Sequence, residues 1–508
     1  MEAQYDVVVV GGGGSGLAAA VSAADNGGSV LLLEKQPQLG GTTGIAVGSF
    51  TANGTAHQVK AGIRDNPNDH EEDAGKFGPP QHQARNNRAL RQFFLAEANA
   101  TLEWLINMGL RFHGPSPEPP NRVPRMHNVV PNAKAYIAVL QSRLLRGGGT
   151  ILCGTKVEEL VMKEGRVSGV VAAREGEQLV FRAQLGVVLA AGDYANSPDL
   201  IAQHLGPAFQ KVEGINPYST GDGHILAQRA GAMLVNMDIA YGPELRFIAP
   251  LDKGFMQLLP ASGPVARLLG ALVPLVPRWV MNAMIKRLLV TWQHPENALF
   301  DDGAILVNAQ GQRFCNEQVW PDREIGVASQ PERLAYFVLD ERLADRYSAW
   351  PHFISTAPEI AYAYVQDYLR LRPDVTVAGP FEEVAARRGI PLAALRDTID
   401  AFNRYAAGVH PDYFGRTADK HPLEGRRWVL LGPAKAYFTT TEGGAAINRR
   451  MEVLNERNDP IPGLYAVGQN GLGGQVLWGH GLHIAWALTS GRLVGVNIMR
   501  PDSRRLVR

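Results

Sequence analysis

Residues 5–10 read Tyr-Asp-Val-Val-Val-Val and pass without a break into Gly-Gly-Gly-Gly-Ser-Gly at 11–16. An unbroken β-branched run of this kind belongs to a strand buried on both faces. Gly11, Gly13 and Gly16 satisfy the spacing GxGxxG. Residues 17–24 follow as an Ala-rich helix, and residues 29–33 as a second apolar strand closed by Glu34-Lys35. Glu34 stands 18 residues past Gly16, near the ~20 at which a carboxylate meets a ribose hydroxyl in dinucleotide sites. The first glycine makes the tight turn, the second lets the backbone approach a pyrophosphate, and the third packs helix on strand. The helix N-terminus then faces the anion. Strand, glycines, helix, strand and acid in this order commit the chain to an α/β fold that binds a dinucleotide.

The chain has 508 residues, room for two to four domains at roughly 100–200 residues each. A hydrophobic share of 45% against 19% charged excludes a disordered chain. Fifty Lys and Arg against 49 Asp and Glu leave a net charge of +1, without the basic excess of a nucleic-acid binder. Two cysteines, Cys153 and Cys315, allow no disulfide framework, CxxC pair, haem site or iron–sulfur ligand set. We expect no metal and a reducing, cytoplasmic setting. Residues 1–6 carry no basic n-region, and 7–10 is too short for a signal peptide. The most lipid-like stretch, 267–292, is interrupted by Pro274, Pro277, Arg278, Lys286 and Arg287 and cannot span a bilayer. It suits a buried helical hairpin in the cap first, and otherwise a peripheral contact with a membrane surface or the mouth of an apolar substrate tunnel.

GxGxxG does not distinguish NAD from FAD. Three further segments favour a flavin: LGGTTG at 39–44, a small-residue turn able to bring amides against a diphosphate; residues 185–189 leading into Ala-Ala-Gly-Asp at 190–193; and IPGLYAVGQ at 461–469, followed by GHGLHI at 479–484 opening a helix. Together with VVVVGGGGSGLAAA, LLLEKQPQLGGTT, GAILVNAQGQRFCNE and TTTEGGAAINRRMEVLNERNDPIPGLYAVGQ, they resemble the flavoprotein superfamily of fumarate reductases, succinate dehydrogenases and 3-ketosteroid dehydrogenases, nearer the ketosteroid dehydrogenase branch. The resemblance covers nearly the whole chain. It implies an α/β, Rossmann-type FAD domain assembled from N- and C-terminal segments and interrupted by an α+β cap. We therefore expect FAD-domain segments at 1–235 and 431–508, the cap at 236–345, and a helical, cap-associated region at 346–430. The resemblance places FAD contacts at Gly11, Gly13, Ser15, Gly16, Glu34, Gly41, Thr42, Val157, Gly468, Gln469, Gly481 and Leu482. Lys35, Thr43, Ala191, Gly192, His483 and Ile484 adjoin them. Gln469 stands where the family ordinarily has Glu. No His stands where some members attach FAD covalently, so the cofactor is expected to bind without a covalent link.

Elsewhere, apolar periodicity predicts helices over 84–108, stopping at Gly109, and over 133–145, stopping at the Gly147-Gly-Gly149 breaker. Alternation with turns at Gly165 and Gly176 predicts a small antiparallel sheet over 151–188. No internal repeat is present.

Hydride transfer between carbon and a flavin needs an apolar slot, a proton-transfer group and donors that polarise a carbonyl. In the family's fumarate reductases the acid is an Arg within a sequence resembling GxRFxNExxTRD. Here Gly311-Gln-Arg-Phe-Cys-Asn-Glu317-Gln-Val-Trp-Pro-Asp-Arg323 puts Pro321 in its place. Arg323 or Tyr241 could serve from the cap, or Arg323 could be a surface charge and Tyr241 a core phenol. As a base, either would need its proton affinity lowered by positive surroundings. The family's carboxylate-binding His and Arg are replaced by residues of Thr440-Thr-Glu-Gly-Gly444 and Gln475-Val-Leu-Trp-Gly-His-Gly481. The carbonyl-binding Tyr of ketosteroid dehydrogenases is Leu477. Gly481 N–H and His480 become the carbonyl donors, with a solvent-facing or capping histidine as the other reading of His480. His127, followed at a distance by Tyr136, stands in a region that forms part of the substrate pocket in the family, where a structural role is equally open. The expected activity is FAD-dependent oxidoreduction of a C–C bond next to a carbonyl, on a cyclic or apolar ketone or enone. A fumarate-reductase-like reductase of an unsaturated acid, or a flavin protein without turnover, are the alternatives. No second GxGxxG follows a strand, so the electron donor or acceptor is an external partner.

Overall fold

The computed structural model describes residues 2–250, 278–357, 359–417 and 421–500. The valine-rich strand Glu2–Val10 is central in its sheet, with Val30–Leu33 on one side and Glu177–Leu189 on the other, both parallel to it. The spatial order is Glu452–Leu454, Pro460–Ala466, Glu177–Leu189, Glu2–Val10, Val30–Leu33, Thr150–Leu152. Val7, Val8 and Val9 are at most 1% exposed, the signature of a strand covered on both faces. Register matters more than order here. Val10 is level with Leu33 and with Leu189, and Leu189 is level with Ala466. Four strands from distant parts of the chain therefore end along one carboxyl edge, where α/β sheets place their ligands.

The helices Gly14–Asp25 and Leu482–Ile498 lie side by side over this sheet. Their contact runs through glycine: a Cβ on Gly491 would stand 2.4 Å from the Ser15 carbonyl oxygen, and one on Gly495 2.4 Å from Ser22 Cβ. The helix expected over 84–108 is Arg88–Asn107; Asn87 caps it by accepting from Leu90 N–H at 3.2 Å, and Pro80–Gln83 forms a separate turn. The helix expected over 133–145 is Lys134–Arg146. The antiparallel region consists of Lys156–Lys163, Arg166–Arg174 and Glu177–Leu189. It differs from expectation at both ends, because Thr150–Leu152 joins the parallel sheet and Glu177–Leu189 runs on into it as one strand.

A second hydrophobic core draws on residues from Tyr194 to Phe438. Its sheet is organised around Trp428–Phe438, flanked antiparallel by Ala335–Leu339, Glu244–Phe247 and Thr376–Gly379. Residues 194–235 and 431–438, assigned from sequence to the cofactor domain, thus also contribute to this core. The region expected to be helical holds Thr376–Gly379 beside its helices. These strands are short or continuously apolar, which periodicity alone does not distinguish from buried helix.

Of the lipid-like stretch, residues 267–277 lie outside the described residues, and Arg278–Trp292 is helical. Leu289 and Val290 of that helix are buried in the second core, and Lys286 pairs with Asp367 at 2.9 Å. No helix among the described residues is long and apolar enough to cross a membrane.

The helix pair yields a stability prediction. Gly491→Val must push helix Leu482–Ile498 off the Ser15 backbone, at a cost of about 1–3 kcal/mol or more. Urea unfolding is expected to show a lowered midpoint with the slope unchanged.

Candidate active site

A cavity of about 950 Å³ opens along the carboxyl edge of the parallel sheet and extends towards the second core. That is near the top of the range of about 300–1,000 Å³ for small-molecule sites. At one end Gly11, Gly13 and Ser15 face the loop carrying Gly41, Thr42 and Thr43, and Gly13 pairs with Gly40 as an isolated bridge. A Cβ built on Gly13 comes no nearer than 3.9 Å to any atom beyond its chain neighbours. The space it would fill is the cavity itself. Gly16 differs: its Cβ would lie 1.9 Å from the Gly11 carbonyl oxygen, and it does not line the cavity. Glu34 is buried; its Oε2 accepts from Gly12 N–H at 2.6 Å and its Oε1 from Gln36 N–H at 2.8 Å. Lys35 is tied to Asp222 and Thr220 at 2.8 and 2.6 Å, so it lines the cavity as a paired charge. These groups fit a dinucleotide: open backbone for the pyrophosphate and a fixed carboxylate for a ribose.

Val157, Ala191, Gly192, Gly468 and Gln469 continue the lining. Gln469 Nε2 donates to Thr440 Oγ1 at 2.6 Å and to the Thr441 carbonyl at 2.8 Å. Thr440 Oγ1 in turn donates to Asp193 Oδ2 at 2.8 Å. Burial raises the Asp193 carboxyl above its ordinary value despite its donors Ala195 N–H, Thr440 and Ser219. At the far end, helix Leu482–Ile498 points its first turn at the cavity through Gly481, His483 and Ile484, while Leu482 packs into the core. Gly481 has φ +82°, and a Cβ there would strike Thr51 Oγ1 at 2.7 Å. Strand Ser49–Thr51 thus fixes where the helix begins. His483 Nε2 meets Glu442 Oε1 at 2.9 Å.

Tyr241, Arg246, Trp478 and His480 complete this end. The Tyr241 ring lies 5.2 Å from that of Trp478. Burial first, and then the neighbouring Glu244 carboxylate, push the Tyr241 phenol above its ordinary value. The lowered proton affinity that a basic role would need is therefore not present, and the phenol keeps its proton. Arg246 Nη2 donates to Glu244 Oε2 at 2.7 Å and to Thr439 Oγ1 at 3.2 Å. His480 does not cap the helix. Its N–H donates to Glu118 Oε1 at 2.7 Å, the same oxygen stands 2.6 Å from its Nδ1, and 55% of its side-chain surface stays open. Burial alone would lower the imidazole pKa; the hydrogen bond and charge of Glu118 outweigh it and leave the value raised.

Two catalytic candidates from the sequence lie outside the cavity, as do Gly16 and Leu482 among the expected cofactor contacts. Arg323 is 4% exposed, so it is neither a surface charge nor a cavity group. Its guanidinium is held by Glu324, the Glu317 carbonyl and Asn297 at 2.5–2.9 Å, over the Phe300 ring. It lines a smaller chamber of about 260 Å³ behind Tyr241 and Trp478. His127 is wholly buried within strand Met126–Val130, in register with Phe50 of Ser49–Thr51, with Nε2 at 3.0 Å from Thr55 Oγ1. Burial, then the neighbouring His57, lower its pKa to about 4. Tyr136 is buried as well and donates to the Gly48 carbonyl at 3.0 Å. Both support the loop and strand that seat Gly481. Sequence reasoning missed Glu118, Arg246, Glu244 and Trp478. Alternation along Glu244–Phe247, with Leu245 and Phe247 buried, was a usable signal for Arg246; nothing local marks Glu118. No group of three or more acidic, His or Cys side chains able to hold a metal occurs among the described residues.

The chain matches the family model described as FAD binding domain over residues 6–249 and 265–478. It is 28% identical over 443 residues to the NADH:fumarate oxidoreductase of Klebsiella pneumoniae, covering 86% of this chain and 41% of that protein. It is 25% identical over 407 residues to the 3-oxosteroid 1-dehydrogenase of Mycolicibacterium smegmatis, covering 73% of this chain and 63% of that protein. The chain spans about two fifths of the length of the first of these relatives. In fold it is similar to the open conformation of a flavocytochrome c3 fumarate reductase, with a TM-score of 0.71 at 24% identity over 98% of this chain and 78% of that one.

The cradle separates folding from binding. Gly13→Val is expected to fold with an unchanged unfolding midpoint yet purify colourless, because its side chain enters the cavity. Gly16→Val is expected to fail to fold. Absorbance of the purified proteins and their melting curves check both.

Proposed function

The chain belongs to the FAD binding domain family, and on that footing we propose that it adds or removes hydrogen across a carbon–carbon bond next to a carbonyl group. FAD, when bound, supplies or takes up the hydride. It would be held by the glycine turns at 11–16 and 40–43, by Glu34 at a ribose, and by the first turn of the last helix. We hold it to be bound without a covalent bond, so denaturation is expected to release all the colour into the supernatant.

The observation that carries this reading is the donor pair at one end of the cavity, the Tyr241 hydroxyl and the helix N-terminus at Gly481, beside the His480 ring and the Trp478 indole. Donors aimed at a carbonyl oxygen stabilise the negative charge that grows on it as the neighbouring carbon loses or awaits a proton. One such donor is worth about 2.7–4 kcal/mol. The polar groups of this end are paired: Arg246 with Glu244, and the His480 and His483 rings with the Glu118 and Glu442 carboxylates. A site in which each basic side chain already faces a carboxylate offers hydrogen bonds rather than net positive charge. That favours a ketone or enone, cyclic or otherwise apolar, over a dicarboxylate. The second reading, reduction of an unsaturated carboxylic acid, draws on Arg246, whose guanidinium reaches the cavity. We place the protein in a reducing, cytoplasmic setting, with an external partner exchanging electrons with the flavin.

The test is anaerobic. Enzyme reduced with dithionite is mixed with 2-cyclohexenone, with a steroid enone and with fumarate, and return of the oxidised flavin absorbance is followed. Enones are expected to restore it and fumarate to leave it bleached. Tyr241→Phe should keep its FAD and slow the enone reaction about 100-fold. Reoxidation by fumarate alone would transfer the assignment to the acid reading and to Arg246. Reoxidation by none of them would leave a flavin protein without this chemistry.

A further inference from the structure

His480 and Glu118 are separated by 362 residues yet meet through two contacts to a single carboxylate oxygen. Glu118 is 8% exposed and lies between the strands Arg111–Ser116 and Met126–Val130, which pair with each other. The Met126–Val130 strand also pairs with Ser49–Thr51. Thr51 Oγ1 donates to the His480 carbonyl at 2.6 Å, so the histidine is fixed at backbone and ring together. An imidazole held at Nδ1 leaves Nε2 on the other side of the ring; more than half of the side-chain surface is open, and the residue lines the cavity. We infer that Glu118 and His480 form a proton-transfer dyad in which Glu118 positions the ring and Nε2 exchanges the proton with the substrate carbon next to the carbonyl. The inference rests on the proposed reaction and supplies the group it needs.

The neighbouring candidates fit other roles. A guanidinium does not release its proton in a protein, and Arg246 is paired with Glu244. An ordinary phenol of pKa ~10 is ionised about one part in a thousand at neutral pH, and Tyr241 is pushed higher still. Tyr241 therefore serves as a hydrogen-bond donor to the carbonyl. The best proton-transfer group has a pKa close to the working pH, which an imidazole provides. Among the charges that face the ring, Glu118 and Glu244 favour its protonated form and Arg246 opposes it.

The step balances in either direction. In reduction, one carbon of the double bond receives a hydride from reduced FAD, the other receives the Nε2 proton, and the N–H electron pair stays on the ring. The substrate gains two electrons and two hydrogens. Neutral His480 keeps its Nδ1–H on Glu118 and takes a new Nε2 proton from water. Dehydrogenation reverses each transfer, with oxidised FAD taking the hydride.

The closing experiment has two arms on the FAD-loaded protein. Nitrogen-15 NMR of labelled histidine, with the signal assigned through His480→Gln, follows the ring's own titration without substrate. The wild-type ring is expected to titrate above 6.5, and Glu118→Gln to lower that value while FAD content stays the same. Single-turnover reoxidation by 2-cyclohexenone, followed between about pH 6 and 9, reads the transfer. The wild-type rate should fall as pH rises through the raised His480 pKa, because the proton donor is then lost. In Glu118→Gln the fall should move to lower pH. His480→Gln should lose about 100-fold in rate, together with the pH dependence, at unchanged enone affinity. An unmoved His480 titration in Glu118→Gln, or a wild-type rate and pH profile in His480→Gln, overturns the dyad. Failure of every enone to reoxidise the wild type overturns the substrate reading instead, and the NMR arm separates the two.

Discussion

Everything in this protein depends on the register that sets Val10, Leu33, Leu189 and Ala466 level at one edge of the parallel sheet. The side-chain period of a strand is two, so a slip of one residue would reverse every buried valine and move the glycine turns off that edge. The closing strand Pro460–Ala466 arrives from the far end of the chain. Helix Leu482–Ile498, which follows it, is locked against Gly14–Asp25 because Gly491 and Gly495 let the backbones touch. That lock carries Gly468, Gly481 and His483 into the cavity founded by Gly11 and Gly13. The cavity therefore exists only when both ends of the chain have folded together.

The cofactor end was legible because its rules are local. Glycine spacing, a buried valine strand and an acid at the end of the next strand are all fixed within the first 35 residues, and backbone geometry demands them. The substrate end was legible only in part. Tyr241 and His480 came from the sequence and line the cavity, whereas Arg323, two places from the family's arginine position, turns into a core of Glu324, Glu317 and Phe300. Chain proximity to a motif says little about which way a long side chain points. Glu118 was invisible because its significance lies in a contact across 362 residues. The strand Trp428–Phe438 was split between two expected regions, since a continuously apolar segment does not announce which core it joins.

The substrate end also shows how charge is handled in a half-buried site. Each basic side chain has a carboxylate partner within 2.9 Å: Arg246 with Glu244, His480 with Glu118, and His483 with Glu442. Unpaired, such charges would be costly to bury; paired, they leave directed N–H groups. Burial holds the Tyr241 phenol neutral, and Glu118 holds the His480 ring protonated to higher pH. One group is thereby suited to donating a hydrogen bond and the other to moving a proton, from differences of environment alone.

On the proposed reading, the Tyr241 hydroxyl and the Gly481 N–H meet a substrate carbonyl at the end of the cavity opened by helix Leu482–Ile498. A crystal structure of the FAD-loaded protein with a bound cyclic ketone tests it most directly. The ketone oxygen is expected at hydrogen-bonding distance, about 3 Å, from the Tyr241 hydroxyl and the Gly481 N–H, with the carbon beside the carbonyl facing His480 Nε2. A ketone lying against Arg246 with its carbonyl turned away from Tyr241 and Gly481, or bound outside the cavity, would contradict the account.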